Sequence, residues 1–254
     1  MNKKPARSCL AVMALCVFSV GAGVLATQAG QKKPKTLDTD PNLAGRWTFD
    51  DGTDKSVPDS SKHGRDGTLK GGLSAGKDFV PGRAGKALKL DGQDDYVEIS
   101  KYKGVTNTRP RTIAAWIKTA ESKGEIASWG ADDYGQMWTF GFIGGRVGVT
   151  PNGGYLYMND QTHDDKWHHV AVVVEETKLP NLHDHVTLYK DGTLAEIHDI
   201  GLLDLWPIET GDVLDVRIGR GFKGLIDDVR IYDRALSDDE ISLLFKLETN
   251  RAKS

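Results

Sequence analysis

Between residues 43 and 247 the chain is a series of short apolar runs broken every few residues by Gly, Asp and Asn. "RTIAAWIKT", "GEIASWG", "MWTFGFIGG", "RVGVT", "WHHVAVVVEE", "HVTLYKDG", "DVRIGR" and "GLIDDVRIYD" are typical. Val170, Val172 and Val174 recur with period two, which puts all three on one face of an extended strand. Asp91-Gly92 and Asp191-Gly192 are turn dipeptides of the kind that close hairpins, because Gly and Asp tolerate the positive φ such turns require. This pattern predicts an all-β, antiparallel sandwich or barrel. Only "LSDDEISLLFKL" reads as a helix: Ser237 can cap it, Glu240 can complete a capping box, and Ile241, Leu244 and Phe245 share one apolar side.

The ends are different in kind. Lys3, Lys4 and Arg7 precede an uncharged apolar run from about Leu10 to Leu25, followed by small residues near Ala26 and Ala29. That is the layout of a cleaved secretory signal over residues 1–29, and the run is short of the roughly 20 residues a spanning helix needs. "GQKKPKTLDTDP", residues 30–41, has two prolines and no apolar periodicity, so it reads as a flexible linker, and residues 248–254 read as a polar tail. Both cysteines, Cys9 and Cys16, lie in the signal, so the exported chain would carry no disulfide, as is common in the bacterial periplasm and outside the cell. The 33 Lys and Arg are nearly balanced by 36 Asp and Glu. Six of the basic residues precede residue 42, so the folded part is acidic and a poor partner for nucleic acid.

The stretch "GLIDDVRIYD" poses a physical problem. In a regular strand Asp227 shares a face with Val229 and Ile231, while Asp228, Arg230 and Tyr232 share the other. A carboxylate facing a core needs a cation or a cluster of backbone N–H groups, since burying it alone costs several kcal/mol.

The aromatic residues fall into two sets. Trp47, Trp116 and Trp167 sit within regular alternation and read as core. Trp129, Tyr134, Trp138, Tyr155, Tyr157 and Trp206 lie in or beside loops, where ring faces are able to stack on sugars. Asp132, Asp133, Gln136, Asn152 and Asn159 stand among them as hydroxyl-binding groups. The expected ligand site is therefore Trp129, Asp132, Tyr134, Gln136, Trp138 and Tyr155. His168 and His169 read as hydrogen-bonded structural residues, and His183 and His185 lack a spaced third ligand for zinc.

No glutamate has the neighbours of a Glu-x-Asp-x-x-Glu strand, and no Gly-x-Ser-x-Gly, His-Glu-x-x-His or phosphate-binding glycine loop occurs. The expectation is a protein that is not an enzyme.

In order along the chain, "GRWTFDDG", "PDSSKHGRDGTL", "GRAGKALKLDGQDDYVEI", "RTIAAWIKT", "KWHHVAVVVE", "VTLYKDG", "RIGR" and "FKGLIDDVRIYDRALSDDEI" resemble the laminin-G-like domains of the concanavalin A-like lectin and glucanase superfamily, as found in secreted bacterial proteins. The resemblance implies one jelly-roll domain over residues 42–247, two packed antiparallel sheets ending in a short C-terminal helix. It implies binding of carbohydrate, protein or another surface ligand, often with calcium. It also implies that the first and last strands lie side by side, bringing Asp227 near Asp50 and the Asp59 loop. A Ca²⁺ held by Asp227, Asp59 and Asp50 would then staple the two ends of the domain, the alternative being that Asp227 meets backbone N–H groups or Arg65. The expected function is an exported, non-catalytic module for carbohydrate or glycoconjugates, with an envelope protein as the alternative partner and a divergent glycoside hydrolase or lyase as the remaining one.

Overall fold

The computed structural model of the chain describes residues 36–201 and 206–251. The signal segment and the linker up to residue 35 lie outside the described residues. Two antiparallel sheets, of eight and nine strands among the described residues, pack face to face. In the first, the strand Arg111–Lys118 lies between Trp167–Val174 and the last strand, Lys223–Tyr232. In the second, Tyr155–Met158, Arg146–Thr150, Met137–Ile143, Glu125–Gly130 and Leu214–Ile218 run side by side. The fold is the expected jelly-roll sandwich.

Alternation decides what fills it. Val170, Val172 and Val174 join Ile113, Ala115 and Ile117 from the first sheet and Phe140, Val147, Val149, Leu156 and Met158 from the second in one core. The intervening Ala171 and Val173 are buried too, in a smaller cluster with Ala114, Tyr232, Ile241 and Leu244. The C-terminal helix, Asp238–Arg251, supplies that second cover, which is why the strand reads as an almost unbroken apolar run. At about 25 cal/mol per Å² of apolar surface removed from water, these two layers are the main favourable contribution to folding.

The helix starts as its sequence predicts. The Ser237 N–H donates to Glu240 Oε2 at 2.9 Å and the Glu240 N–H donates to Ser237 Oγ at 3.3 Å, a reciprocal capping box. Arg234 clamps both Glu240 and Asp40 at 2.6 Å. The helix extends to Arg251, into the stretch expected to be a polar tail.

The ordered body also begins earlier than residue 42. Leu37 is buried in the smaller cluster, and Asp38 pairs with Arg230 at 2.6 Å and with Arg46 at 3.3 Å. The end of the expected linker is a strap across the sheet, because its single leucine and two aspartates each find a partner there.

Candidate functional site

The last strand changes neighbours half-way along. Residues 223–226 pair with Lys86–Asp91, and residues 229–232 pair with the first strand, Leu43–Trp47. At the change-over the register against Arg111–Lys118 slips between Asp227 and Arg230, and Asp228 adopts φ +44°. This bulge corrects the regular alternation expected from sequence. Val229 and Ile231 do enter the core, but Asp227 pairs across to Trp116, whose ring lies against Arg83, His169 and Phe245 outside it.

Asp227 is 2% exposed, and its Oδ2 accepts the N–H groups of Arg83 at 2.8 Å and Ala84 at 3.2 Å. Burial is the main force on its pKa, with repulsion from Asp228 and Asp50, and it pushes the carboxyl up to about 8 against the pull of the two N–H groups. The loop that supplies them is shaped for this. A Cβ on Gly82 would sit 2.7 Å from Asp227 Oδ2, and one on Gly85, at φ +64°, would collide with Asp50 Oδ1. The Lys86 N–H donates to that Asp50 oxygen at 2.8 Å. Asp50, Asp227, Asp228, Arg46 and Ser60 all line one cavity of about 380 Å³.

Asp59 stands apart from this group. Its Oδ1 accepts from the N–H groups of Arg46 and Ser61, and its Oδ2 from that of Arg65. Burial works against the charge, but hydrogen bonds from Ser61, Arg65 and Arg46 outweigh it and hold the pKa below the usual carboxylate value. Asp59 thus ties its own loop to the first strand. Asp228 lies between two guanidinium groups, 2.7 Å from Arg46 Nε and 2.8 Å from Arg230 Nη2, which hold it well below the ordinary range despite full burial. A separate acidic group, Asp91, Asp94 and Asp95, has carboxylate oxygens within 4.8 Å of one another in the turn after Lys86–Asp91, a spacing a metal ion would fit.

The aromatic end is built by three loops. Gly135 N–H donates to Asn152 O at 2.8 Å, Glu209 N–H to Gly135 O at 2.9 Å and Gly211 N–H to Gln136 O at 2.9 Å. These bonds bring Tyr134 and Trp206 together, their ring centroids 5.4 Å apart and their planes 12° from parallel. Both stay open, Tyr134 at 59% and Trp206 at 45%. Gly153, at φ +101°, admits them: a Cβ there would come within 2.7 Å of Trp206 and 2.8 Å of Tyr134. On the neighbouring strand Tyr155 and Tyr157 stack at 5.7 Å and 10°, and Tyr157 stacks on His198 at 5.4 Å.

Trp129 and Trp138 must be removed from the expected ligand set. Both are 0% exposed and pack against each other in the core, 6.1 Å between centroids. Their strands alternate inward at these positions, and the Trp129 indole N–H is spent on Val105 O at 3.1 Å. Beneath them the fully buried Arg111 lies over the Trp138 ring at 5.0 Å and donates to Thr210 Oγ1 at 2.7 Å. Asp132 is exposed, with Asn152 Nδ2 3.5 Å away, and the half-buried Gln136 backbone ties two of the loops. His198 and the Arg46–Asp228 pair were missed by sequence reading. Asp228 and Arg230 share a strand face in the sequence, but nothing local signals that Arg46, 182 positions from Asp228, joins them.

The fold is a jelly-roll sandwich of two antiparallel sheets, with an acidic cavity at a strand junction and an aromatic loop end. The chain belongs to the concanavalin A-like lectin/glucanase superfamily, whose laminin-G-like model matches residues 91–242. No curated protein matches the chain by sequence. Among solved structures it is similar to domain 4 of AbnA, an extracellular arabinanase from Geobacillus stearothermophilus, in complex with arabinotriose. That likeness has 20% identity, covers 80% of this chain and 98% of that one, and has a TM-score of 0.59. It is also similar to the binding domain of Paraclostridial Mosquitocidal Protein 1, at 18% identity over 80% of this chain and 52% of that one, TM-score 0.53. A third is the botulinum neurotoxin type G receptor-binding domain, at 17% identity over 82% and 51%, TM-score 0.50. The chain spans about half the length of these two toxin domains.

Proposed function

We propose that the protein is an exported, non-catalytic module that binds carbohydrate at its aromatic end. The observation that carries this reading is the exposed, parallel Tyr134–Trp206 pair, with a second ring stack formed by Tyr155, Tyr157 and His198. Flat apolar faces of this kind match the C–H faces of sugar rings, while Asp132, Gln136 and Asn152 supply polar groups that fix hydroxyls. The arabinotriose bound to domain 4 of AbnA supports an oligosaccharide as the ligand. The toxin binding domains favour the alternative, a protein or envelope partner engaged by the same fold.

A structural Ca²⁺ completes the proposal. The donor set fits a hard cation in kind: the carboxylates of Asp50 and Asp227 open on one polar cavity, and Asp227 is held near neutrality by burial, a cost that a divalent ion would relieve. Asp59 would act by holding its loop in place, since its oxygens are already engaged by N–H groups. The ion would join the first strand to the last.

The test is binding of the purified protein to a broad polysaccharide and glycan panel, in parallel with Ca²⁺ and with EDTA. Saturable binding to one glycan class is the expected result. Silence across the panel from folded protein would reject the carbohydrate reading and transfer it to a protein partner, sought by pull-down from the cell envelope.

A further inference from the structure

The outer face of the first sheet lies under the C-terminal helix, but that of the second carries a file of polar side chains in register across its strands. Glu98 stands opposite Arg217, Arg217 opposite Ser128, Ser128 opposite Thr139 and Thr139 opposite Thr150. Their chain neighbours Val97, Val216, Trp129, Phe140 and Val149 fill the core, so all five point outward. Arg217 is half-buried and makes no hydrogen bond or ion pair among the described residues, and its Nε is closed off from solvent. The acids nearby are compensated: Glu98 pairs with Lys70 at 2.9 Å, and Glu125 accepts the Ser128 hydroxyl with Arg220 at 3.8 Å. Beside the file Gly141 faces Gly148, with Glu125 opposite the first and Tyr157 opposite the second, so the floor there stays at backbone level. Thr139 and Glu125 open with Phe142, Lys123 and Arg220 on a cavity of about 470 Å³. The other end of the file reaches the ring pair. Asn152 N–H donates to Thr150 Oγ1 at 3.1 Å, Thr150 Oγ1 donates to Gly154 O at 2.5 Å, and Gly153 between them lies against Tyr134 and Trp206.

Resting on the carbohydrate reading, we infer that the bound glycan is a long linear chain that runs from the Tyr134–Trp206 pair across the outer face of the second sheet. The five residues of the file lie on five neighbouring strands, spaced about 4.8 Å apart. That spacing is close to the length of one sugar in an extended chain, so a chain laid across the strands meets about one polar side chain per sugar. Hydroxyls both donate and accept, and the file offers both: Glu98 accepts, Arg217 donates, and Thr139 and Thr150 do either. A sugar hydroxyl supplies the acceptor that the Arg217 guanidinium lacks, and no bond within the protein is given up for it. A protein partner would need an apolar centre to its interface, which this polar file does not provide. Each contact adds little by itself, so affinity grows with the number of sugars in the chain.

The experiment titrates the purified protein by calorimetry with the trimer and the hexamer of four β-1,4-linked series: glucose, xylose, mannose and N-acetylglucosamine. In the series that binds, the hexamer is expected to bind at least about tenfold more tightly than the trimer. R217M and T139K, each confirmed as folded by its melt, should remove that gain while leaving the trimer affinity in place. Y134A should weaken trimer and hexamer alike, and K89M, on the outer face of the first sheet, should change neither. Equal affinity for trimer and hexamer, or a gain that survives both R217M and T139K, overturns the extended-chain inference and leaves the carbohydrate reading standing. Binding of a panel glycan with no hexamer bound does the same. If no hexamer and no member of the glycan panel binds, both fall together.

Discussion

Arg46 Nε lies 2.7 Å from Asp228 Oδ1, a contact between residues 182 positions apart that joins the first strand to the bulge in the last. Both side chains are buried, at 7% and 5% exposure, and Arg230 and Asp38 extend the pair into a network of four charges. R46M strands part of a buried carboxylate, so it should lower stability by about 3 kcal/mol in chemical denaturation. Adding D228N should recover part of that loss, because the charge left unpaired is then gone. Strictly additive losses in the double variant would refute the pairing.

The Asp227 carboxyl makes stability depend on pH and, under the proposed ion site, on calcium. Its pKa is raised from 3.8 to about 8 in the folded protein, so the native state holds a proton that the unfolded chain has lost. The contribution is full below about pH 4 and is lost as pH rises to about 8. Without a divalent ion D227N, which retains an acceptor for the Arg83 and Ala84 N–H groups, should therefore melt at or above the wild-type temperature at pH 8. Calcium should stabilise the wild type more at pH 8 than at pH 5 and leave D227N unmoved. Identical melts of the wild type in EDTA and in millimolar Ca²⁺ at both pH values would reject the ion.

His169 works in the opposite direction over an overlapping range. Burial, helped by the nearby Arg230, pushes its pKa down to about 4, so the unfolded chain binds a proton the native state refuses. Stability from this group is present above pH 6.5 and lost as pH falls to about 4. The two slopes largely cancel between pH 4 and 6.5 in the wild type without calcium. H169Q should expose the falling Asp227 slope there, and D227N the rising His169 slope. Parallel pH profiles of melting temperature for all three proteins would contradict the assignment.

Tyr134 and Trp138 lie four residues apart and have opposite fates. Y134A removes an exposed ring, so it should change stability by less than about 0.5 kcal/mol while weakening glycan binding at least roughly tenfold. W138A empties a fully buried site and should cost about 3–5 kcal/mol. Destabilisation by Y134A with unchanged binding would assign the Tyr134–Trp206 pair to structure alone.

The sequence by itself determined the strands, their antiparallel sandwich and the C-terminal helix. Period-two alternation, the Asp191-Gly192 turn and the Ser237–Glu240 box are local signals, each complete within a few residues. It also located the loop region that holds Tyr134 and Asp132. It did not separate Tyr134 from Trp138 or Trp129, because an aromatic ring reads alike on the inward and outward side of a strand until the opposite sheet is in place. Nor did it predict that Asp227 leaves the alternation. That follows from a strand changing neighbours, from Lys86–Asp91 to Leu43–Trp47, and the extra residue of the bulge turns the side chain away from Val229 and toward the Gly82–Gly85 loop. Only tertiary structure decided these points, since the partner in each case is supplied by chain far away in sequence: Gly153 and Trp206 for Tyr134, Arg83 and Ala84 for Asp227, and Arg46 for Asp228.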